Sequence, residues 1–205
     1  MAFEQRGKSG GSRKRSSGFS SSGRSASRGE VESEGSTKPE REKKPPTPER
    51  LEQRARNVLL HQLAKSAKST HQLRQILEKR EIPADIAERV LERFTEVGLI
   101  DDQAFAETIV NSRRNFKGLS KSAIKRELNE KGVPGAFIEQ AIEGITSEDD
   151  LQAAKELASR RIRQMSGLAR EVRERRLAGY LGRKGYPSSI VFAAIRFAET
   201  NTESD

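Results

Sequence analysis

Two histidines, two runs of acids and two blocks rich in lysine and arginine are the side chains of this sequence best suited to chemistry. His61 and His71 have no carboxylate beside them at the spacing a metal site needs, so each reads as a polar surface residue. Asp101–Asp102 and Glu148–Asp149–Asp150 each stand just ahead of an apolar stripe of helical period. There an acid accepts from free backbone N–H groups and meets the positive end of the helix dipole, so capping accounts for both runs without a metal. The chain has no Cys, which removes disulfides, thiolate ligands and a thiol nucleophile together. Neither GxxxxGK[ST] nor GxGxxG is present to cradle a phosphate. No nucleophile, base and orienting group come together, so the chain reads as a non-enzyme that needs no cofactor.

The basic blocks remain. Residues 112–131, SRRNFKGLSKSAIKRELNEK, hold seven cations against two anions. Residues 167–184, GLAREVRERRLAGYLGRK, place Val172, Leu177, Tyr180 and Leu181 on one side of a helix. Arg170, Arg173, Arg176 and Arg183 fall on another. Charge is nearly balanced over 51–150, with 16 Lys/Arg and 17 Asp/Glu, but residues 151–199 carry 11 Lys/Arg and only 4 Glu. A charged helix face is ordinarily just solvated. Here the scarcity of acids makes a phosphate-facing surface the competing reading, drawn from Arg114, Lys117, Lys121, Lys125 and Arg126 in the first block and the four arginines in the second. The role of RRIRQ (160–164) stays open.

The elements that must position these residues come from a repeat. After residue 50 only Pro83, Pro134 and Pro187 remain, and the run before each matches: LEKREIP, LNEKGVP, LGRKGYP. Four residues before each leading Leu sits Leu73, Ile124 or Leu177. Three after each Pro sits Ile86, Phe137 or Ile190. This is one helical module in three copies, each proline opening a helix. Gly132 and Gly185 end the preceding helix in a left-handed cap, with Glu81 as a weaker cap in the first copy. GLIDD (98–102) and TSEDD (146–150) are the seams, and Phe105 is expected to be buried at the first of them. Nine helices follow, starting at Thr47–Pro48, Thr70 or His71, Pro83, Asp101, Ser120, Pro134, Ser147, about Gly167, and Pro187. The expected fold is all-α: three tandem three-helix repeats (48–100, 101–146, 147–200) forming an elongated curved body.

Residues 1–47 are rich in Ser, Gly and Arg with isolated apolar residues, and are expected to be disordered, as are 201–205. The tail is either a solubilising spacer or a basic arm with weak nucleic-acid affinity. No apolar run approaches the roughly 18 residues of a membrane span, and no signal sequence is evident, so a cytoplasmic protein that avoids membranes is expected.

Gly98-Leu99-Ile100-Asp101-Asp102, Phe105-Ala106, Val110, Ser112-Arg113, Gly118, Leu128 and Lys131-Gly132, echoed by Leu181 and Lys184-Gly185-Tyr186, resemble the RecX family over about residues 50–199. The resemblance implies three three-helix repeats and binding of a monomer in the groove of the RecA filament on single-stranded DNA. It also implies inhibition of strand exchange and ATP hydrolysis, with a place in DNA repair, homologous recombination and the SOS response, and no catalytic residues. It carries over Arg113 as the motif arginine. The other candidate cations rest on charge alone, and weak binding to free DNA would accompany them. A direct DNA-binding helix-turn-helix regulator is the competing class. It needs base-reading side chains at the start of a recognition helix, and Pro-Ala-Asp, Pro-Gly-Ala and Pro-Ser-Ser are poor for that. A repeat scaffold for some other protein is a third.

Overall fold

The second helix of every repeat closes in the same way, and that closure sets the module. The structure, a computed structural model, describes residues 47–203, so the expected disordered tail lies outside the described residues except for Thr47. Among the described residues there are nine α-helices and no strand: α1 (Pro48–Leu63), α2 (Thr70–Glu78), α3 (Ala84–Glu96), α4 (Asp102–Ser112), α5 (Lys121–Glu130), α6 (Gly135–Ile142), α7 (Ser147–Ile162), α8 (Arg170–Arg183) and α9 (Ser188–Glu203). A π-turn, Arg113–Lys117, extends α4, and a 3-10 turn, Arg163–Met165, follows α7.

The starts follow side-chain chemistry. Thr47, Asp101 and Ser120 each accept from a backbone N–H of the first turn, and Ser69–Gln72 and Thr146–Asp149 form reciprocal capping boxes. Pro83 and Pro134 sit one position ahead of their helices as caps, not in the first turn. Two boundaries differ from expectation: α8 begins at Arg170, after Gly167, and α9 continues to Glu203, into the stretch expected to be disordered. At the closures the N–H of Ile82, Val133 or Tyr186 donates back to the carbonyl of Leu77, Leu128 or Leu181 at 3.2, 3.2 and 3.3 Å. The residue before each has positive φ: Glu81 59°, Gly132 69°, Gly185 84°.

Each repeat has a core of its own. Leu59, Leu73, Leu77, Val90 and Leu91 fill the first; Phe105, Ile124, Leu128, Ile138 and Ile142 the second; Ile162, Leu177, Leu181, Ala194 and Ile195 the third. Burying one such leucine or isoleucine contributes about 1.5–3 kcal/mol. Phe105 is buried as expected, but within the core of the second repeat, not at its seam with the first.

The seams are joined by hydrogen bonds. Ser69 and Ser120, both fully buried, donate to the carbonyls of Lys131 (2.5 Å) and Gly185 (2.7 Å) in the following repeat. The N–H of Thr70 donates to Asp102 at 2.8 Å and that of Lys121 to Asp150 at 3.2 Å. Asp102 and Asp150 therefore cap a helix of the preceding repeat, whereas Asp101 and Asp149 cap their own. His71 is part of the first seam and not a plain surface residue: a Cβ on Gly132 would lie 2.3 Å from its Cγ. On Gly185 a Cβ would meet that of Ala123 at 2.5 Å. Aligned on Leu77, Leu128 and Leu181, the third repeat has Arg173 where the others have Ser69 and Ser120, because α8 carries an extra turn at its start.

Candidate binding surface

The π-turn divides one basic run into inward and outward charge. Its widened loop closes when the N–H of Leu119 donates to the carbonyl of Arg113 at 3.2 Å, with Gly118 ending the turn. Arg113 folds onto α5, where Nε and Nη2 donate to the two oxygens of Glu127 at 2.7 and 2.6 Å. That guanidinium holds the Glu127 carboxyl below the usual carboxylate range, against the opposing effect of burial. Arg114 crosses to the third repeat, pairing with buried Asp150 and donating to the Leu119 carbonyl at 3.3 Å. Phe116 points outward at 88% exposure, and Lys117 beside it is exposed.

On α5, Lys121 is half-buried and its ammonium donates to the Ile145 carbonyl at 2.8 Å. Lys125 is exposed but pairs with Glu139 at 2.5 Å, the same clamp that Arg74 and Glu88 form in the first repeat. The Arg74–Glu88 pair likewise holds the Glu88 carboxyl below its usual range. Arg126 is exposed and has no ion pair among the described residues.

The expectation that the α8 arginines face few acids holds for only part of the set. Arg173 is turned inward: Nε and Nη2 donate to the carboxylate of Glu199 at 3.1 and 2.5 Å, and Nη1 donates to the Leu168 carbonyl at 3.0 Å. Glu199 is 2% exposed. This carboxylate lies 26 residues further along the chain on α9, so counting acids near α8 did not find it. Arg170 is exposed and pairs with Glu174 one turn away at 3.0 Å. Arg176 and Arg183 are exposed, without an ion pair among the described residues.

The ten sequence candidates thus separate by environment. Arg113, Arg114 and Arg173 have their charge matched by a carboxylate inside the fold. Lys121, Lys125 and Arg170 are tied at the surface. Among the described residues Arg126, Arg176 and Arg183 present charge to solvent without an ion pair, and Lys117 is exposed while also helping to hold the Glu127 carboxyl low. Arg161 and Arg175 were missed by the sequence reading, yet they join Arg176, Arg183 and Tyr180 around a cavity of about 520 Å³. Arg175 belongs to the same helical run as the others, and Arg161 lies in the RRIRQ segment whose role stayed open. Among the described residues no group of three or more His, Asp or Glu side chains could hold a metal ion, and no helix is long and apolar enough to cross a membrane.

Among the described residues, nine helices in three modules, joined by buried polar seams and carrying exposed cations, define a helical-repeat protein with a basic surface. The comparisons give that class its family. Residues 55–94, 101–142 and 148–195 match the descriptions "RecX, first three-helix domain", "RecX, second three-helix domain" and "RecX, third three-helix domain". "Regulatory protein RecX" of Streptomyces coelicolor is 41% identical over 168 residues, covering 82% of this chain and 89% of that protein. The protein of the same name from Thermobifida fusca is 38% identical over 149 residues, covering 73% and 80%. The crystal structure of RecX from Lactobacillus salivarius superposes with a TM-score of 0.63 at 19% identity, covering 73% of this chain and 97% of that one, a likeness of fold. The chain belongs to the RecX family of regulatory proteins, and its fold is three RecX three-helix domains in tandem.

Proposed function

We propose that this chain is a cytoplasmic, monomeric, non-enzymatic regulator that binds the RecA filament on single-stranded DNA and restrains its strand exchange and ATP hydrolysis. The observation that carries this reading is membership of the RecX family across all three repeats. The exposed surface is compatible with it. A nucleoprotein filament offers phosphates and carboxylates along a groove, and Arg126, Arg176 and Arg183 are exposed cations without an ion pair among the described residues, with Lys117 exposed as well. Lys121, Lys125 and Arg170 lie beside them and exchange a weak surface contact for a filament contact at small cost. Arg113, Arg114 and Arg173 serve the surface indirectly, by holding the π-turn, the second seam and α8 in place.

The test is RecA ATP hydrolysis on single-stranded DNA, followed with increasing amounts of this protein. The reading expects a saturable fall in rate. A rate that stays unchanged at several-fold molar excess over RecA removes it.

A further inference from the structure

Arg175, Arg176 and Arg183 on α8 and Arg161 at the end of α7 line one cavity of about 520 Å³, with Tyr180 as its aromatic wall and Met165 beneath. No carboxylate lines it, and none of the four arginines is in an ion pair among the described residues. Four cations gathered without an acid repel one another, and a bound anion relieves that repulsion. Arg161 among them is held by an amide and an aromatic ring: its Nη1 donates to Oε1 of Gln164 at 2.7 Å. The Arg161 guanidinium lies 5.8 Å from the centroid of Tyr180, and the Lys184 ammonium lies 5.1 Å from it. A ring holds a cation in place without cancelling its charge, which a carboxylate would do.

The aromatic wall of the cavity is tied to the second repeat through Lys184. Lys184, held over Tyr180, also donates to the carbonyl of Lys117 in the π-turn. The residue before Lys117 in the turn is Phe116, the most exposed large apolar side chain among the described residues. Phe116 belongs to none of the three cores. The widened turn presents it to solvent, one residue from the Lys117 carbonyl that Lys184 binds. An exposed aromatic ring beside a row of cations is the combination that holds single-stranded nucleic acid, with rings stacking bases and cations meeting phosphates. A free small anion would need neither the ring nor the length. Arg176 and Arg183 are seven residues apart on one helix, about 10.5 Å along its axis. A stacked strand presents one phosphate per about 3.4 Å, so the row spans more than one.

We infer that repeats two and three form a composite single-strand site, with phosphates gripped by Arg161, Arg175, Arg176 and Arg183 and a base stacked on Phe116. Tyr180 and Lys184 join the two halves. This deepens the proposed function and rests on it for DNA as the polymer.

The test uses the full-length protein and no RecA, so its outcome is separate from that of the regulatory reading. Binding to a labelled oligothymidylate of about 12 nucleotides is followed by fluorescence anisotropy across a salt series. Arg176→Gln/Arg183→Gln is expected to weaken binding at least tenfold. It should also lower the slope of log K against log salt by about 1.4, the value for two phosphate contacts on a single strand. Phe116→Ala is expected to weaken binding about tenfold with the salt slope unchanged, since stacking carries no counterion release. Arg50→Gln/Arg54→Gln, the same charge loss on exposed positions of α1, is expected to change affinity less than twofold. Circular dichroism confirms that each variant is folded. The inference is overturned if the wild-type chain does not bind the strand, if the α1 control weakens binding as much as the α8 pair, or if Phe116→Ala binds like wild type. It is equally overturned if thymidine monophosphate or inorganic phosphate, at equal phosphate concentration, displaces the strand, because the pocket would then be a small-anion site. Loss of strand binding alongside retained inhibition of RecA sinks this site and leaves the proposed function standing.

Discussion

Equivalent positions in the repeats should answer opposite substitutions, a glycine introduced or a glycine removed, with opposite signs. Glu81, Gly132 and Gly185 all hold a left-handed backbone, at φ of 59°, 69° and 84°. A side chain in that region costs about 1–2 kcal/mol, so Glu81→Gly should stabilise the protein by about 1 kcal/mol, less than the full strain because glycine loses more chain entropy on folding. Gly185→Ala should do the reverse, and by more. It acquires the strain and also drives a Cβ to 2.5 Å from the Cβ of Ala123 and 2.8 Å from the Oγ of Ser120. Overpacking of this sort costs about 1–3 kcal/mol, which brings the total to about 2–5 kcal/mol. Gly98→Ala separates the two contributions. Its φ is 71° but no atom lies within 4 Å of the added Cβ, so it should cost the strain alone. Urea unfolding followed by circular dichroism reads all three, and the expected order of stability is Glu81→Gly, wild type, Gly98→Ala, Gly185→Ala. If Gly185→Ala and Gly98→Ala lose the same stability, the close approach between repeats two and three is wrong. If Glu81→Gly is destabilising, the positive φ at Glu81 is wrong.

Phe105→Ala should cost about 3–5 kcal/mol in the same assay, since the ring is 6% exposed in the core of the second repeat; a loss below about 1 kcal/mol would place it at the surface. Breaking the Arg173–Glu199 pair should cost about 3–5 kcal/mol through Arg173→Met, which strands a buried carboxylate, whereas Arg176→Gln should stay within about 0.5 kcal/mol; equal effects would mean that Arg173 is solvated. Glu127 has a depressed pKa, so its contribution is present above its ordinary value near 4.5 and is lost as pH falls through the folded value; Glu127→Gln should flatten the acid limb of stability below about pH 4.5, and an unchanged limb would rule out the Arg113 pairing. Burial raises the Tyr186 phenol to about 12, so its stabilisation is full below its ordinary value of 10 and fades between pH 10 and 12; Tyr186→Phe should reduce the alkaline loss over that window, and an identical alkaline limb would contradict it.

Most of the fold was legible because its signals are local. Proline position, a left-handed cap and apolar residues at helical spacing all act within about ten residues, and they recur three times. The binding surface was less legible because charge matching is not local. Arg113 and Glu127 are 14 residues apart, Arg114 and Asp150 are 36, and Arg173 and Glu199 are 26. A count of acids along one helix cannot see a carboxylate delivered by another. Arg176 and Arg183 meet no carboxylate from another helix among the described residues, so for their charge environment a local count of acids suffices. Phe116 carried a signal that went unused. It lies beyond the Phe105–Ile109 stripe of α4 and ahead of Gly118, at no core position of any repeat. The polar seams had no sequence signature of their own: Ser120 reads only as the start of a helix, Ser69 lies just ahead of the expected start at Thr70 or His71, and the carbonyls they donate to come from the following repeat.

The most direct test of the functional account is the inhibition constant for RecA ATP hydrolysis on single-stranded DNA, measured for the wild-type chain and for Arg176→Glu/Arg183→Glu. These two arginines are exposed and make no ion pair among the described residues, so reversing them leaves every core and seam intact. Two attractive contacts become repulsive. The account predicts inhibition at least tenfold weaker, equivalent to about 1.4 kcal/mol, with helix content and melting temperature unchanged. A folded double variant that inhibits as strongly as wild type would contradict it.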